Sequence, residues 1–166
     1  RKFGVVFQND MVFYNSLREN IRFGRPLEDR ALLAAVEDAA AMEYVGSLAD
    51  GLSHQAEIKG ANLSGGQKQR MLIARALAGD PEILILDDSS SALDYQTDAA
   101  LRRAIQAHHS RSTTIMVAQR VSSIQSMTHI LVMDDGRAIG YGTHRELLET
   151  CPAYREIYRA QMGALA

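Results

Sequence analysis

Cysteine is nearly missing from this sequence: Cys151 is the only one among 166 residues, and tryptophan is absent. A lone thiol cannot close an internal disulfide or build a cysteine-based metal site, so the chain suits a reducing, cytosolic setting. Long hydrophobic runs are missing too. The longest are strand-sized, far below the roughly 20 apolar residues of a membrane-spanning helix, so any membrane association must come through another segment or another chain. An excess of one charge is also lacking: the net charge is −2 at pH 7, with acids and bases interleaved. That pattern excludes the clustered Lys/Arg surface of a nucleic-acid or anionic-membrane binder. No internal repeat or low-complexity tract appears, and the length is that of one domain with enough apolar sequence for a core.

What is present is concentrated in two places. Leu63-Ser64-Gly65-Gly66-Gln67 puts a serine and two glycines at a predicted helix start, with Ser64 and Gln67 at capping-box spacing. Glycine lets a backbone approach a phosphate without a Cβ clash, and a helix N-terminus offers unpaired N–H donors and a favourable dipole. Downstream, Ile83-Leu84-Ile85-Leu86 runs straight into Asp87-Asp88. Carboxylates at the carboxyl end of a buried parallel strand stand where open α/β sheets place ligand chemistry, and they suit Mg²⁺. Together the two segments point to nucleotide chemistry.

The rest of the chain reads as alternating elements. Phe3-Gly4-Val5-Val6-Phe7 is predicted to be a buried strand followed by a loop at Gln8-Asn9-Asp10. Ser16-Leu17-Arg18-Glu19 is a second capping box opening a short helix. Leu27 to Val45 reads as one amphipathic helix with Leu32, Leu33 and Val36 in the core, and Met71 to Leu77 carries the next. Residues of about 10–80 are therefore expected to form a mostly helical subdomain. In 81–166, strand 83–87, a helix near Asp98–His108, strand Thr113–Ala118, a helix near 122–126, strand Ile130–Met133 and a turn at Asp134-Asp135-Gly136 follow one another. Another strand through 138–141 and helices from about Arg145 and Ala153 close the chain. Such alternation indicates an α/β fold with a mostly parallel sheet and helices on both faces. His108-His109, His129 and His144 lack partners at metal-ligand spacing and read as solvated or packed side chains.

These segments, in this order, resemble the nucleotide-binding domain of an ATP-binding cassette (ABC) exporter. LSGGQ matches the signature motif, ILILD the Walker B strand, Ser91-Ala92-Leu93-Asp94 the D-loop, and Phe7-Gln8-Asn9-Asp10 the Q-loop. The resemblance implies a RecA-like P-loop NTPase core over 81–166 with an inserted α-helical subdomain. It implies ATP and Mg²⁺ as ligands, with Asp87 and Gln8 holding the metal. Ser64, Gly65, Gly66 and Gln67 would contact the ATP of an opposing cassette, and Asp94 would link the two sites. The phosphate loop Gly-x-x-x-x-Gly-Lys-Ser/Thr is absent: the lysines are Lys2, Lys59 and Lys68, and none follows a glycine. The chain, opening on Arg1-Lys2-Phe3, is thus expected to be the C-terminal part of a cassette.

Two positions depart from the family pattern. Asp88 stands where hydrolytic cassettes carry a glutamate, and Gln119, within Val117-Ala118-Gln119-Arg120, stands at the switch histidine. Aspartate is one methylene shorter, and displacing a catalytic group by about 1 Å can cost roughly a hundredfold in rate. Glutamine carries no positive charge to offer a γ-phosphate. With an intact signature, the resemblance implies a degenerate own site and service to the site of a partner. That partner would be a consensus cassette in a heterodimeric exporter at the cytoplasmic face of the membrane, coupled to transmembrane domains through the Q-loop and the helical subdomain. Ile58 stands where exporters carry a glutamate two residues before the glycine matched by Gly60. Alternatives left open are a non-hydrolytic module that ATP merely clamps into a dimer, and a fragment inactive by itself. A chromosome-maintenance ATPase would need long heptad repeats between Gln8 and the signature, which residues 9–62 lack.

Overall fold

The structure is a computed structural model that describes residues 2–163; Arg1 and residues 164–166, the ends of the expected 1–166 domain, lie outside it. The chain divides into two compact units at Val117/Ala118. The first unit is built on strands β1 (Phe3–Val6), β4 (Ile83–Asp87) and β5 (Thr113–Val117), with helices α1 (Leu17–Arg22), α2 (Asp29–Asp38), α3 (Met42–Ser47), α4 (Gly65–Leu77) and α5 (Tyr95–His108). A two-residue antiparallel ladder joins β2 (Asn15–Ser16) to β3 (Gln55–Ala56).

The three long strands are parallel in the order β1-β4-β5, with Val6 opposite Leu86 and Asp87 opposite Val117. Side chains alternate across a pleated strand, and here the two faces differ. Gly4, Val6, Leu84 and Leu86 are buried, and the last three join a core with Leu17, Ile21, Leu32, Met71, Ile73, Leu77 and Leu101. The opposite face carries Phe3, Ile115 and Val117, each at least half exposed. The expectation of a buried strand over 3–7 therefore holds for alternate residues only; Phe3 and Phe7 are both exposed. Gly4 is required by close approach: a Cβ there would lie 2.5 Å from the Ala76 carbonyl oxygen, so α4 packs directly onto β1.

The single helix expected over Leu27–Val45 is broken. Ala40 adopts φ 53°, α2 ends at Asp38, and α3 restarts at Met42. No glycine or proline marks the break, and Ala39-Ala40-Ala41 are all good helix formers, which is why the sequence hid it. Leu32 and Val36 are fully buried, whereas Leu33 is 39 % exposed and does not belong to the core. Ser16 caps α1 by accepting from the Glu19 N–H, but the Glu19 carboxylate pairs with Arg22 instead of closing the box.

The second unit contains α6 (Val121–Ile124), an antiparallel hairpin of β6 (Ile130–Asp134) and β7 (Arg137–Gly142), α7 (His144–Thr150) and α8 (Pro152–Gly163). Asp135 and Gly136 both take positive φ, 45° and 72°, as a tight hairpin turn requires. Val121, Ile130, Val132, Leu147, Cys151 and Tyr154 form its core. Thr143 and Glu146 close a capping box on α7, and the Thr143 N–H holds the Glu146 carboxyl below the usual carboxylate range.

Candidate functional site

Ser64 stands at the N-cap of α4, its Oγ accepting from the Gln67 N–H at 3.2 Å while the Gln67 Oε1 accepts from the Ser64 N–H at 2.8 Å. The first bond of the helical ladder runs from the Lys68 N–H to the Ser64 carbonyl. The N–H groups of Gly65 and Gly66 precede it and point out of the helix end. Ser64 and Gly65 are exposed. The Ser64 hydroxyl accepts one bond and keeps its proton to donate. A Cβ on Gly66 would come 3.3 Å from the Ala92 carbonyl oxygen, and one on Gly65 would come 3.9 Å from the Ala92 Cβ. The signature segment and the loop Ser91–Asp94 therefore lie against each other.

Asp94 ends that loop as the N-cap of α5. Its carboxylate accepts from the Thr97 N–H at 2.9 Å and the Thr97 hydroxyl at 2.7 Å, and the Thr97 N–H foremost holds its pKa below the ordinary range. This cap also moves the helix start to Tyr95, three residues before the expected Asp98.

A second group of residues gathers at the carboxyl edge of the sheet. β1 and β4 are adjacent and parallel, so Gln8, two residues past Val6, leaves the sheet at the same edge as Asp87 and Asp88. Gln8 is exposed in a turn closed by the Asp10 N–H on the Phe7 carbonyl. Asp87 is half-buried, and its carboxylate meets no hydrogen-bond or ion-pair partner among the described residues. Asp88 has a left-handed backbone, φ 46°, with its N–H donating to the Val117 carbonyl at 3.0 Å and its own carbonyl accepting from the Ser91 hydroxyl at 2.9 Å. Aspartate tolerates that conformation better than most residues. Gln119 belongs to the second unit, where it is exposed and its carbonyl accepts from the Gln161 Nε2 at 2.7 Å.

The ABC transporter family model matches residues 1–91, more than half of the chain. The chain belongs to the ABC transporter family. It is 42 % identical over 161 residues to the uncharacterized ABC transporter ATP-binding protein YknU of Bacillus subtilis, covering 95 % of this chain and 27 % of that protein. It is 40 % identical over 163 residues to the ATP-dependent lipid A-core flippase of Xylella fastidiosa, covering 97 % and 28 %. Among solved structures, a bacterial Atm1-family ABC exporter with ATP bound superposes with a TM-score of 0.92 at 35 % identity, over 97 % of this chain and 29 % of that one. The chain thus spans just over a quarter of the length of these relatives. Its mixed α/β fold with a parallel sheet is that of the exporter's nucleotide-binding domain. Among the described residues, no helix is long and apolar enough to cross a membrane.

Two clusters escaped the sequence reading. His108 and His109, read there as solvated or merely packed, share one carboxylate: His108 Nδ1 lies 2.6 Å from Asp38 Oδ1 and His109 Nε2 2.9 Å from Asp38 Oδ2. They join the end of α5 to the end of α2, and His109 is buried. Arg75, on the signature helix, is buried among backbone carbonyls of the segment that follows Gln8. Neither pairing has a sequence signal, because the partners lie about 50 to 70 positions apart.

Proposed function

We propose that this chain is the ATP-binding part of an ABC exporter subunit that binds MgATP and, in its assembled transporter, couples ATP hydrolysis to substrate export. The observation that carries the reading is the unpaired, half-buried Asp87 carboxylate at the strand edge that Gln8 shares. A carboxylate without a protein cation is a hard anionic oxygen donor, and an amide carbonyl from the same strand edge is a second, so the pair fits Mg²⁺. When bound, Mg²⁺ supplies positive charge to the phosphate oxygens. The reaction is attack of water on the γ-phosphorus, breaking its bond to the bridging oxygen and releasing ADP and phosphate.

In this reading Asp88 orients the attacking water and accepts its proton, poorly, because its carboxylate stops one methylene short. Gln119 stands at the switch position and donates from a neutral amide. Ser64 gives a hydroxyl proton, and Gly65 and Gly66 give N–H groups, to the phosphate held by the opposing cassette, while Gln67 holds Ser64 in place. Asp94 fixes the start of α5 beside them. The subunit therefore keeps a sluggish site of its own and completes a competent one in a consensus partner, with the membrane-spanning part of the transporter carrying the cargo.

The test is the ATPase rate of the assembled transporter with Asp88→Glu and Gln119→His, alone and combined. The double substitution is expected to raise turnover severalfold. Wild-type turnover assigned to this subunit's own site at the rate of the consensus site would refute the degenerate assignment.

A further inference from the structure

Between Phe7 and Asn15 the first unit has no helix and no strand, yet this stretch follows Gln8 directly. Two buried side chains hold it. Asn20, 2 % exposed, accepts from the Phe13 N–H at 2.8 Å through Oδ1 and donates from Nδ2 to the carbonyls of Phe13, Asn15 and Ser16. Arg75, 7 % exposed, donates from Nη1 to the Met11 carbonyl at 3.1 Å, from Nε to the Asn20 carbonyl at 2.8 Å and from Nη2 to Asn20 Oδ1 at 3.1 Å. Asp10 Oδ1 lies 3.5 Å from Nη1, and the guanidinium carbon sits 5.1 Å and 4.9 Å from the ring centres of Phe13 and Phe23. Arg75 belongs to α4, about three turns from Ser64 along one unbroken helix.

A buried arginine is a costly way to fill a core, since hydrophobic groups of similar volume often replace buried charges without loss of stability. Burial works against its charge and Asp10 partly offsets that. What an arginine gives and a hydrocarbon cannot is a planar fork that reads several oxygens in fixed directions. Three of its bonds end on the segment from Met11 to Asn20.

We infer that Arg75 is a positioning residue that ties the loop carrying Gln8 to the helix carrying Ser64–Gln67. On the functional reading above, on which this role rests, those two ends serve different nucleotide sites: Gln8 the subunit's own and Ser64–Gln67 the partner's. Because α4 is a continuous helix fixed to the loop at Arg75, a shift of the loop at one site moves the signature segment at the other. Arg75 touches neither nucleotide and acts through Met11, Asn20 and the helix.

The experiment uses the assembled transporter and two readouts. In hydrogen–deuterium exchange without nucleotide, Arg75→Met is expected to speed exchange in residues 9–16, with residues 65–77 still protected. Unchanged exchange in 9–16, or faster exchange across the whole unit, overturns the tie. In a double-mutant cycle on ATPase, Gln8→Ala is expected to lower turnover severalfold in the wild-type background and by less than twofold in the Arg75→Met background. Independent effects that simply multiply overturn the positioning role, because a merely structural arginine would lower the active fraction equally in both backgrounds. Arg75→Lys, which keeps the charge without the fork, is expected to fall between wild type and Arg75→Met in both readouts. A wild-type transporter without ATPase would refute the functional reading and with it the coupling role, while the exchange result would still decide the tie itself.

Discussion

Ser64 has one duty in the fold and a second in the proposed function, and a single pair of substitutions separates them. Its Oγ caps α4 through the Gln67 N–H, and in the proposed function its hydroxyl also donates to a phosphate. Loss of an N-cap side chain costs about 0.5–2 kcal/mol. Ser64→Ala keeps the other half of the box, the Ser64 N–H on Gln67 Oε1, so a cost near 1 kcal/mol is expected, a shift of roughly 2–4 °C in Tm for a protein of this size. Removing a hydrogen bond to a charged group costs about 1.5–3 kcal/mol, which corresponds to roughly ten- to a hundredfold in turnover at the site this serine completes.

Ser64→Asp makes the opposite split. Aspartate caps a helix as well as serine does, and its charge is favoured at a helix N-terminus, so thermal stability should equal or slightly exceed wild type. The same carboxylate near a phosphate is repelled by about 4 kcal/mol at 4 Å with an effective dielectric of 20, close to a thousandfold in rate. Differential scanning calorimetry paired with ATPase assays on the assembled transporter reads both quantities. A Ser64→Asp transporter that hydrolyses ATP within a fewfold of wild type would refute the placing of this hydroxyl against phosphate. Loss of stability in Ser64→Asp would refute the capping account.

Three further outcomes are expected. Gly4→Ala forces a Cβ to 2.5 Å from the Ala76 carbonyl oxygen and 2.9 Å from Pro81 Cγ, so chemical denaturation should show a loss of about 1–3 kcal/mol; an unchanged midpoint would mean that α4 does not rest on β1. His108 has its pKa raised, first by the hydrogen bond to Asp38 and then by the charges of Asp38 and Glu37. Its contribution to stability is therefore fully present below the ordinary histidine value of about 6.5 and is lost as pH rises through the higher folded value. Thermal melts across that range should fall with rising pH in wild type and flatten in His108→Gln, with His109 on the same carboxylate and Asp80 on the far side of the His109 ring unchanged; an equal slope in both proteins contradicts this. Asp88 sits at φ 46°, so Asp88→Gly should match or exceed wild-type stability and Asp88→Ala should lose about 1 kcal/mol, a ranking that urea denaturation checks.

The features the sequence displayed are those set by neighbours along the chain. The capping box of Ser64 and Gln67, the Asp135-Gly136 turn and strand 83–87 running into Asp87 depend on spacings of a few residues, and periodicity and turn chemistry register such spacings directly. The break at Ala40 was hidden because Ala39-Ala40-Ala41 holds no helix-breaking residue, and one alanine takes a conformation usually left to glycine. Exposure of Phe3 and Phe7 was hidden for a related reason: an apolar run has the same composition whether one face of its strand is covered or both.

Arg75 shows where local reading ends. Within Ile73-Ala74-Arg75-Ala76-Leu77 it interrupts a wholly buried stretch, and a charge in a buried helical run is the one local sign that something distant must answer it. The answer comes from Met11 and Asn20, more than fifty positions upstream, through two backbone carbonyls that any residue type presents and the side-chain oxygen of Asn20. At that separation along the chain, nothing local names the partner. A chain read for its motifs yields the two ends of this unit that the proposed function sets against nucleotide, and the link between them becomes visible only when the fold brings α4 against the loop after β1.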